Sequence, residues 1–399
     1  MFGLSAIECF VIVVAVYAIV YWITPRKGAW FPMLLVVLLL SVLAYHVIPN
    51  ESDDLSRYFT QLEYLKTYGH DYLDHCFEDN INNWDTYRVC AYYFYFISKL
   101  PTVHYMSAVT IFIVYGLMFL IMYKAANHFN INKLYLFGGT MFFLSTYWYY
   151  DTLSGIRNGL CFAVIFACAY YHLVERKNIP LCYLGYVLAC LTHSSGIMIV
   201  ALVILTELTL NNSGKFMNFL LIFGIIGGGA LVQFLATVTD NNFVQSIAGQ
   251  VENHKASTSL YADTLFLVNV SVLIVVSITI VYFSTYILNS EYSGDLKRLY
   301  KFSSIIVFFM IGSLFSALIF VRVARWILPI VGGLVFMIGM QLQNNKFEKD
   351  GKSYTYYYAP FNETIRAKVR PIYSLLFCIY TAVHLWYLVF GSSITWMHF

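Results

Sequence analysis

Residues 180–211 read PLCYLGYVLACLTHSSGIMIVALVILTELTLN, and the fold turns on how this stretch is parsed. It is either one long membrane helix or two short ones broken at His193-Ser194-Ser195-Gly196. Charge decides between them. Cytoplasmic loops of membrane proteins are enriched in Lys and Arg, so the side holding Arg26 and Lys27 is taken as cytoplasmic. With the break, 16 of the 24 basic residues share that side. The eight on the other side are Arg57, Lys66, Arg88, Lys99, Arg157, Lys255, Arg322 and Arg325. Without it, everything after residue 211 changes side and only nine basic residues, Arg26 included, share that side. The broken version is therefore chosen, and it predicts both termini on the extracytoplasmic side. Short, Gly-interrupted membrane segments are tolerated where they line a cavity.

The rest of the chain supports a membrane setting. Hydrophobic residues make up 60% of the 399 and charged residues 11%, against about 25% charged in a soluble domain. Apolar runs such as 10–23, 33–48, 109–123, 265–287 and 305–321 approach or reach the ~20 helical residues that a bilayer crossing needs. Crossings are predicted at about 3–23, 30–48, 103–123, 134–150, 158–174, 180–193, 195–211, 216–237, 263–288, 302–321, 326–342 and 371–390, with ends good to about 2–4 residues. The first run reads as a retained signal anchor, because no small-residue cleavage site follows it. The reading is a single polytopic all-α domain over 1–399, with about twelve crossings. It carries an extracytoplasmic helical loop region at 49–102, an extracytoplasmic loop at 238–262 and a cytoplasmic loop at 343–370. Aromatic residues at run ends, such as Tyr147–Tyr150, suit the membrane interface, and the stretch 91–97 is too short to span.

Basic residues on the disfavoured side of short loops invite a functional reading. Arg322 and Arg325 stand three apart, which places them on one face of a helix end. Such a pair can hold a diphosphate through bidentate, charge-assisted hydrogen bonds, or it can reach for lipid headgroups. Arg157 follows Ser154-Gly155-Ile156 and opens a helix whose free N–H groups suit an anion; an ion pair with Asp151 is the alternative. In Asp53-Asp54-Leu55-Ser56-Arg57-Tyr58, a helix starting near Ser52 would put Asp54, Arg57 and Tyr58 on one face. A carboxylate held beside an Arg stays ionised and can act as a general base or orient a sugar hydroxyl, or the acids only complement the helix dipole. His193 closes the short helix, where a lone His is often a dipole partner.

Other chemistries find less support. Cys76 and Cys90 share one polar loop and could pair in an oxidising compartment. The remaining cysteines, Cys378 among them, read as small core residues. No CxxC or Cys/His metal spacing occurs, the acids at 71, 74, 78, 79 and 85 fit no EF-hand loop, and no G-x-S-x-G elbow accompanies the His-Ser pair. Lys/Arg runs are too short for nucleic-acid binding. A transporter would be expected to show inverted halves or charges buried mid-helix.

Asp54-Leu55-x-Arg57-Tyr58, Gly155-Ile156-Arg157-Asn158 and Leu191-Thr192-His193-Ser194-Ser195, in that order, resemble the EpsG family, which is akin to the Wzy repeat-unit polymerases of bacterial polysaccharide synthesis. The resemblance implies a GT-C-like, metal-independent glycosyltransferase without a cofactor. It would transfer a polyprenyl-diphosphate-linked glycan onto a lipid-linked repeat unit at the outer face of the plasma membrane, with inversion. O-antigen, capsule or exopolysaccharide would be the product class. Asp54 and His193 would be catalytic, and Arg157, Arg322 and Arg325 would bind the diphosphate. Asp53, Arg57, Tyr58, Asn158, Ser194 and Ser195 would contact glycan. The lipid bilayer, a chain-length regulator and a flippase are the implied partners. The alternatives are another GT-C-like transferase or glycan ligase, and a transporter of lipid-linked glycan.

Overall fold

The computed structural model describes residues 6–51, 53–79, 81, 84–210, 264–288, 293–314, 317–344, 347–349, 352–354 and 363–390. The expected crossing at 216–237, the loop at 238–262 and part of 343–370 lie outside them. Among the described residues, six stretches are long and apolar enough to cross a membrane: Arg26–Tyr45, Tyr105–His128, Ile156–Glu175, Thr264–Ser284, Val323–Gln343 and Val369–Val389. Glu8–Ile23, Ile179–Cys190 and Ser195–Leu208 are apolar but shorter. The chain is a multi-pass helical membrane protein. It forms two compact units, 1–201 with 360–399, and 202–359, described separately below.

In the first unit, α1 (Ala6–Ile23) packs on α2 (Trp30–Tyr45), and α2 on α6 (Tyr105–His128). α6 packs on α9 (Ile156–Ala169), α9 on α10 (Ile179–Cys190), and α7 (Lys133–Thr146) on α15 (Glu363–Phe390). Lipid tails are as apolar as leucine, so packing and interhelical hydrogen bonds bring such helices together. Tyr17 of α1 meets the Thr140 hydroxyl of α7 at 2.7 Å, and the Tyr149 hydroxyl donates to the Leu40 carbonyl at 2.7 Å. His384 Nδ1 lies 2.7 Å from the Ser145 carbonyl oxygen.

The two ends of these helices differ in charge. At one, Arg26 Nε donates to the Ile131 carbonyl at 2.8 Å, Lys133 Nζ to the Trp22 carbonyl at 2.7 Å, and Arg370 to the Tyr135 hydroxyl at 3.2 Å. The α9–α10 reversal, with Arg176 and Lys177, falls at this end too. α9 finishes there in a π-helical segment (Tyr170–Glu175), and Arg176 and Asn178 adopt left-handed backbone (φ 54° and 52°) to turn the chain. The other end carries the 49–102 region and the first residues of α9. Phe10, early in α1, and Tyr387, late in α15, meet Tyr149 and Trp148 there, with ring centroids 5.7 and 6.1 Å apart.

The 49–102 region is helical, as expected. It forms α3 (Asp54–Tyr68), α4 (His70–Glu78) and α5 (Arg88–Ser98). Asp53 holds the N-cap position, with extended backbone (φ −81°, ψ 149°). α5 includes the short aromatic stretch at 91–97; it buries Cys90, Ala91, Phe94 and Ile97 and exposes Tyr92 and Phe96. The acids at 71, 74 and 78 lie on α4 rather than in a loop. Asp74 and Asp79 pair with His70 and His75, and Asp85 pairs with Arg88. Cys76 and Cys90 are buried free thiols on separate helices, and burial pushes the Cys90 thiol up to about 12. Cys378, expected in the core, is exposed on α15.

Two further expectations are corrected. Tyr147–Tyr150 are not interfacial rings. All four are buried, with Tyr147 and Tyr149 fully so, in a cluster with Tyr115 of α6. They occupy the end of α7 and the short helix α8 (Tyr149–Ser154), which folds back onto the bundle. In the second unit, α12 (Thr264–Leu288), α13 (Ser293–Ser313) and α14 (Ala317–Asn344) pack together. The predicted turn between crossings at 321 and 326 is continuous helix, so Arg322 and Arg325 lie within α14 rather than at its boundary. Val-Arg-Val-Ala-Arg-Trp contains no Gly or Pro, and Arg is a good helix former; charge alone does not end a helix. α14 runs close to α12, and a Cβ on Gly339 would come within 2.1 Å of the Phe283 ring. Among the described residues the all-α reading has one exception, an antiparallel pairing of Phe347–Lys349 with Lys352–Tyr354.

The decisive stretch is broken where the charge count placed the break. α10 ends at Cys190 and α11 (Ser195–Leu208) begins at Ser195. The turn lies tight on α9. A Cβ added to Gly196 would come within 2.7 Å of Cys161 Sγ and 3.3 Å of Cys190 Cα. Gly196→Val should therefore destabilise the protein by about 1–3 kcal/mol through overpacking. Adding Cys161→Ala should recover part of the loss. Thermal unfolding of the purified variants in detergent tests this; parent-like melting of Gly196→Val would show that the approach is not close.

Candidate functional site

The start of α9 presents Arg157 and Asn158 at the end of the first unit that also bears the 49–102 region. Gly155 precedes the helix, and its N–H donates to the Asp151 carbonyl at 2.7 Å, so α8 turns sharply into α9. Arg157 is half-buried. Its guanidinium carbon lies 6.0 Å from the centroid of the Tyr58 ring and 5.6 Å from that of Tyr87. It is also hydrogen-bonded to Tyr58. A guanidinium over aromatic faces is stabilised by the ring quadrupole, more so where water is partly excluded.

Tyr87 extends the cluster to the α10–α11 turn. Its ring stacks on the His193 imidazole, with centroids 5.5 Å apart and planes 5° from parallel. Its hydroxyl donates to Ser194 Oγ at 3.0 Å. The Ser195 backbone N–H donates to His193 Nδ1 at 3.1 Å. The Ser195 hydroxyl lies 2.9 Å from that nitrogen and 3.4 Å from Asn158 Oδ1. Cys161 donates to the His193 carbonyl at 3.6 Å, pinning the turn to α9.

The His193 bonds fix its chemistry. A backbone N–H can only donate, so Nδ1 accepts and a neutral ring carries its proton on Nε2. The ring then offers a hydrogen-bond donor where a general base would need a lone pair.

The two acids at the start of α3 part company. Asp53 accepts the Asn50 N–H at 3.2 Å and a hydrogen bond from the Tyr150 hydroxyl of α8. Asp54 pairs with Arg57 one turn on; the Arg57 side chain is largely exposed and that of Asp54 about half so. Tyr58, expected on their face, turns inward and is buried.

Of the residues singled out from sequence, Tyr58, Arg157, Asn158, His193, Ser194 and Ser195 form one connected cluster. Asp53 and Asp54 lie just over one turn before Tyr58 at the start of α3, and Arg57 is adjacent to it in sequence. Arg322 and Arg325 belong to the second unit, where Arg325 is half-buried. Two residues of the arrangement were missed. Tyr87 carries no signal of its own in a polar loop, and Tyr150 was read as an interfacial ring.

These features define a class, namely a multi-pass helical membrane protein with a cation held among aromatic rings, serines and a histidine at one end of its bundle. The EpsG family model matches residues 29–358, and the chain belongs to that family. EpsG proteins are Wzy-like polysaccharide polymerases, glycosyltransferase-like in activity. Neither a curated protein nor a solved structure matches the chain.

Tyr87 is the keystone of the cluster on this geometry. Tyr87→Phe keeps both ring contacts and loses one hydrogen bond, which should cost about 1 kcal/mol. Tyr87→Ala removes a buried ring and should cost about 3–5 kcal/mol. Unfolding in detergent should separate the two variants clearly, and equal losses would rule out the ring contacts as the main support.

Proposed function

We propose that this protein is a GT-C-like polysaccharide polymerase with about twelve crossings. It joins a polyprenyl-diphosphate-linked glycan chain to a lipid-linked repeat unit at the outer face of the plasma membrane. The observation that carries the reading is Arg157, held between Tyr58 and Tyr87 beside the His193 turn, in a chain of the EpsG family. The orientation rests on the positive-inside rule. Arg26, Lys133, Arg176, Lys177 and Arg370 mark the cytoplasmic end, and the cluster lies at the other.

The reaction asks for two things. An acceptor hydroxyl oxygen attacks the anomeric carbon as the bond from that carbon to the diphosphate oxygen breaks, inverting the centre. The diphosphate leaves with the bonding pair, and its charge needs stabilisation rather than a proton. Arg157 supplies a fixed cation for it, and His193 supplies an Nε2 donor, so the chemistry is proposed to run without a metal. The acceptor hydroxyl must lose its proton. His193, with Nδ1 engaged, is poorly suited to take it, and the role falls to Asp54, whose half-exposed carboxylate is steadied by Arg57. Asn158, Ser194 and Ser195 are proposed to orient glycan hydroxyls, while Asp53, engaged by the Asn50 N–H and the Tyr150 hydroxyl, holds the start of α3 rather than contacting glycan. Arg322 and Arg325, one turn apart on α14, are proposed as a cationic pair for diphosphate on their own unit. A chain-length regulator and a flippase are the partners such a reaction calls for.

Purified protein given lipid-diphosphate-linked repeat units should produce a ladder of products, whereas a ligase would give a single one. Arg157→Ala should slow elongation about 10²–10³-fold, the range for removing one preorganised charge-stabilising group. Arg157→Lys should fall between the two. Well-expressed Arg157→Ala and Arg322→Ala variants that still made full-length polymer would overturn these roles. Reporters placed after Lys99 and after Lys177 should read extracytoplasmic and cytoplasmic respectively; the reverse would invert the orientation.

A further inference from the structure

α3 carries a second stripe that the cluster does not use. Its buried side is Leu55, Tyr58, Leu62 and Leu65. Next to it, Asp54, Arg57, Gln61, Tyr64 and Tyr68 fall within about 80° of the helix circumference at 100° per residue. The two tyrosines are 47% and 60% exposed. They are arranged as a platform. Tyr64 and Tyr68 stack with centroids 6.4 Å apart and planes 25° from parallel. The Tyr72 ring of α4 adds to it, 5.4 Å from Tyr64. The stripe starts at the Asp54–Arg57 pair and runs about 21 Å along the helix.

We propose that Tyr64 and Tyr68 form a stacking track for the polysaccharide chain, leading from the Asp54–Arg57 end of α3. The proposal rests on the polymerase reading above. A pyranose ring presents one face of axial C–H bonds with partial positive charge, and an aromatic face is negative. Its edge is a ring of hydroxyls, which suits a charged, exposed neighbour such as Arg57. Tyrosine offers a large, rigid surface with a polar tip and little side-chain entropy to lose. Insertion into acyl chains fits less well. The same face carries an ion pair, and Thr60 beside it is exposed. The track would retain a growing chain between additions, and so would set product length without touching the bond-forming step.

The test uses full-length protein in proteoliposomes. Lipid-linked repeat units serve as substrate, and the polymer made by the wild type, sorted into short and long fractions, serves as the binding probe. Tyr64→Ala/Tyr68→Ala should join the first two repeat units within about twofold of the wild-type rate. Its ladder should shift to shorter chains, and its affinity for the long fraction should fall about tenfold, the order expected for two lost ring faces. Tyr64→Phe/Tyr68→Phe, which keeps both faces, should retain long chains. Tyr68→Ala alone should give a smaller shift in the same direction, which guards against a folding defect in the double variant. An unchanged ladder and unchanged binding in the double Ala variant would overturn the track. So would strong quenching of these tyrosines by brominated lipids together with wild-type chain length, which would make them membrane anchors. If the wild type makes no ladder at all, the polymerase reading falls, and the track falls with it.

Discussion

A guanidinium at the start of a membrane helix is costly unless its charge is met. Arg157 is met by two aromatic faces, Tyr58 from α3 and Tyr87 from the segment before α5. That requirement organises the end of the first unit. Tyr58 must turn inward, which sets the rotation of α3 and leaves Asp54 and Arg57 on the open side. Tyr87 must reach the same cation, and its other face then receives His193. The α10–α11 turn is thereby joined to α9 through one tyrosine, with Ser194 and Ser195 completing the bonds. Each element is placed by the need to compensate one charge, and the polar groups that do so are also those able to bind an anionic, hydroxyl-rich ligand.

Much of this was legible in the sequence because membranes impose few and strict rules. Gly196 and the serines before it lower the cost of a break in a long apolar run, and charge asymmetry showed that a break was needed. Arg157, Asn158 and the His193-Ser194-Ser195 turn stood out because polar residues are scarce in this chain. Tyr87 did not, since with 34 tyrosines the residue type carries almost no information about role. Tyr147–Tyr150 misled for a related reason. An aromatic group at the end of an apolar run looks the same whether it faces headgroups or folds back on a core. The boundary between α13 and α14 was misplaced because Arg322 and Arg325 looked like loop residues. A helix tolerates arginine wherever its backbone bonds are satisfied, so polarity marked the wrong position.

The helices that present the cluster are joined by specific polar bonds as well as by packing. The Tyr17–Thr140 and Tyr149–Leu40 bonds and the His384–Ser145 contact link α1 to α7, α8 to α2 and α15 to α7. In a bilayer such bonds need not compete with bulk water, although measured values stay modest because the separated helices also find partners. Their value here is positional. α8 is fixed to α2 by Tyr149 and to the start of α3 by Tyr150, so the six residues leading into Arg157 are constrained from both sides.

That constraint explains why two adjacent carboxylates need not share a role. Asp53 is at the N-cap position of α3, and its side chain is engaged by the Asn50 N–H and the Tyr150 hydroxyl. A carboxylate holding two donors is an anchor, and moving it would loosen α3 from α8. Asp54 is one residue on, rotated by about 100° around the helix, and its partner Arg57 lies on the open face. Replacing the Asp53 carboxylate should therefore disturb Tyr58 and, through it, the setting of Arg157. Replacing that of Asp54 should leave the cluster standing and remove an acceptor from the side where a glycan would lie. The doubled acid thus divides two positions: one carboxylate fixes the helix, and the other is left on its open side, where the proposed reaction needs an acceptor.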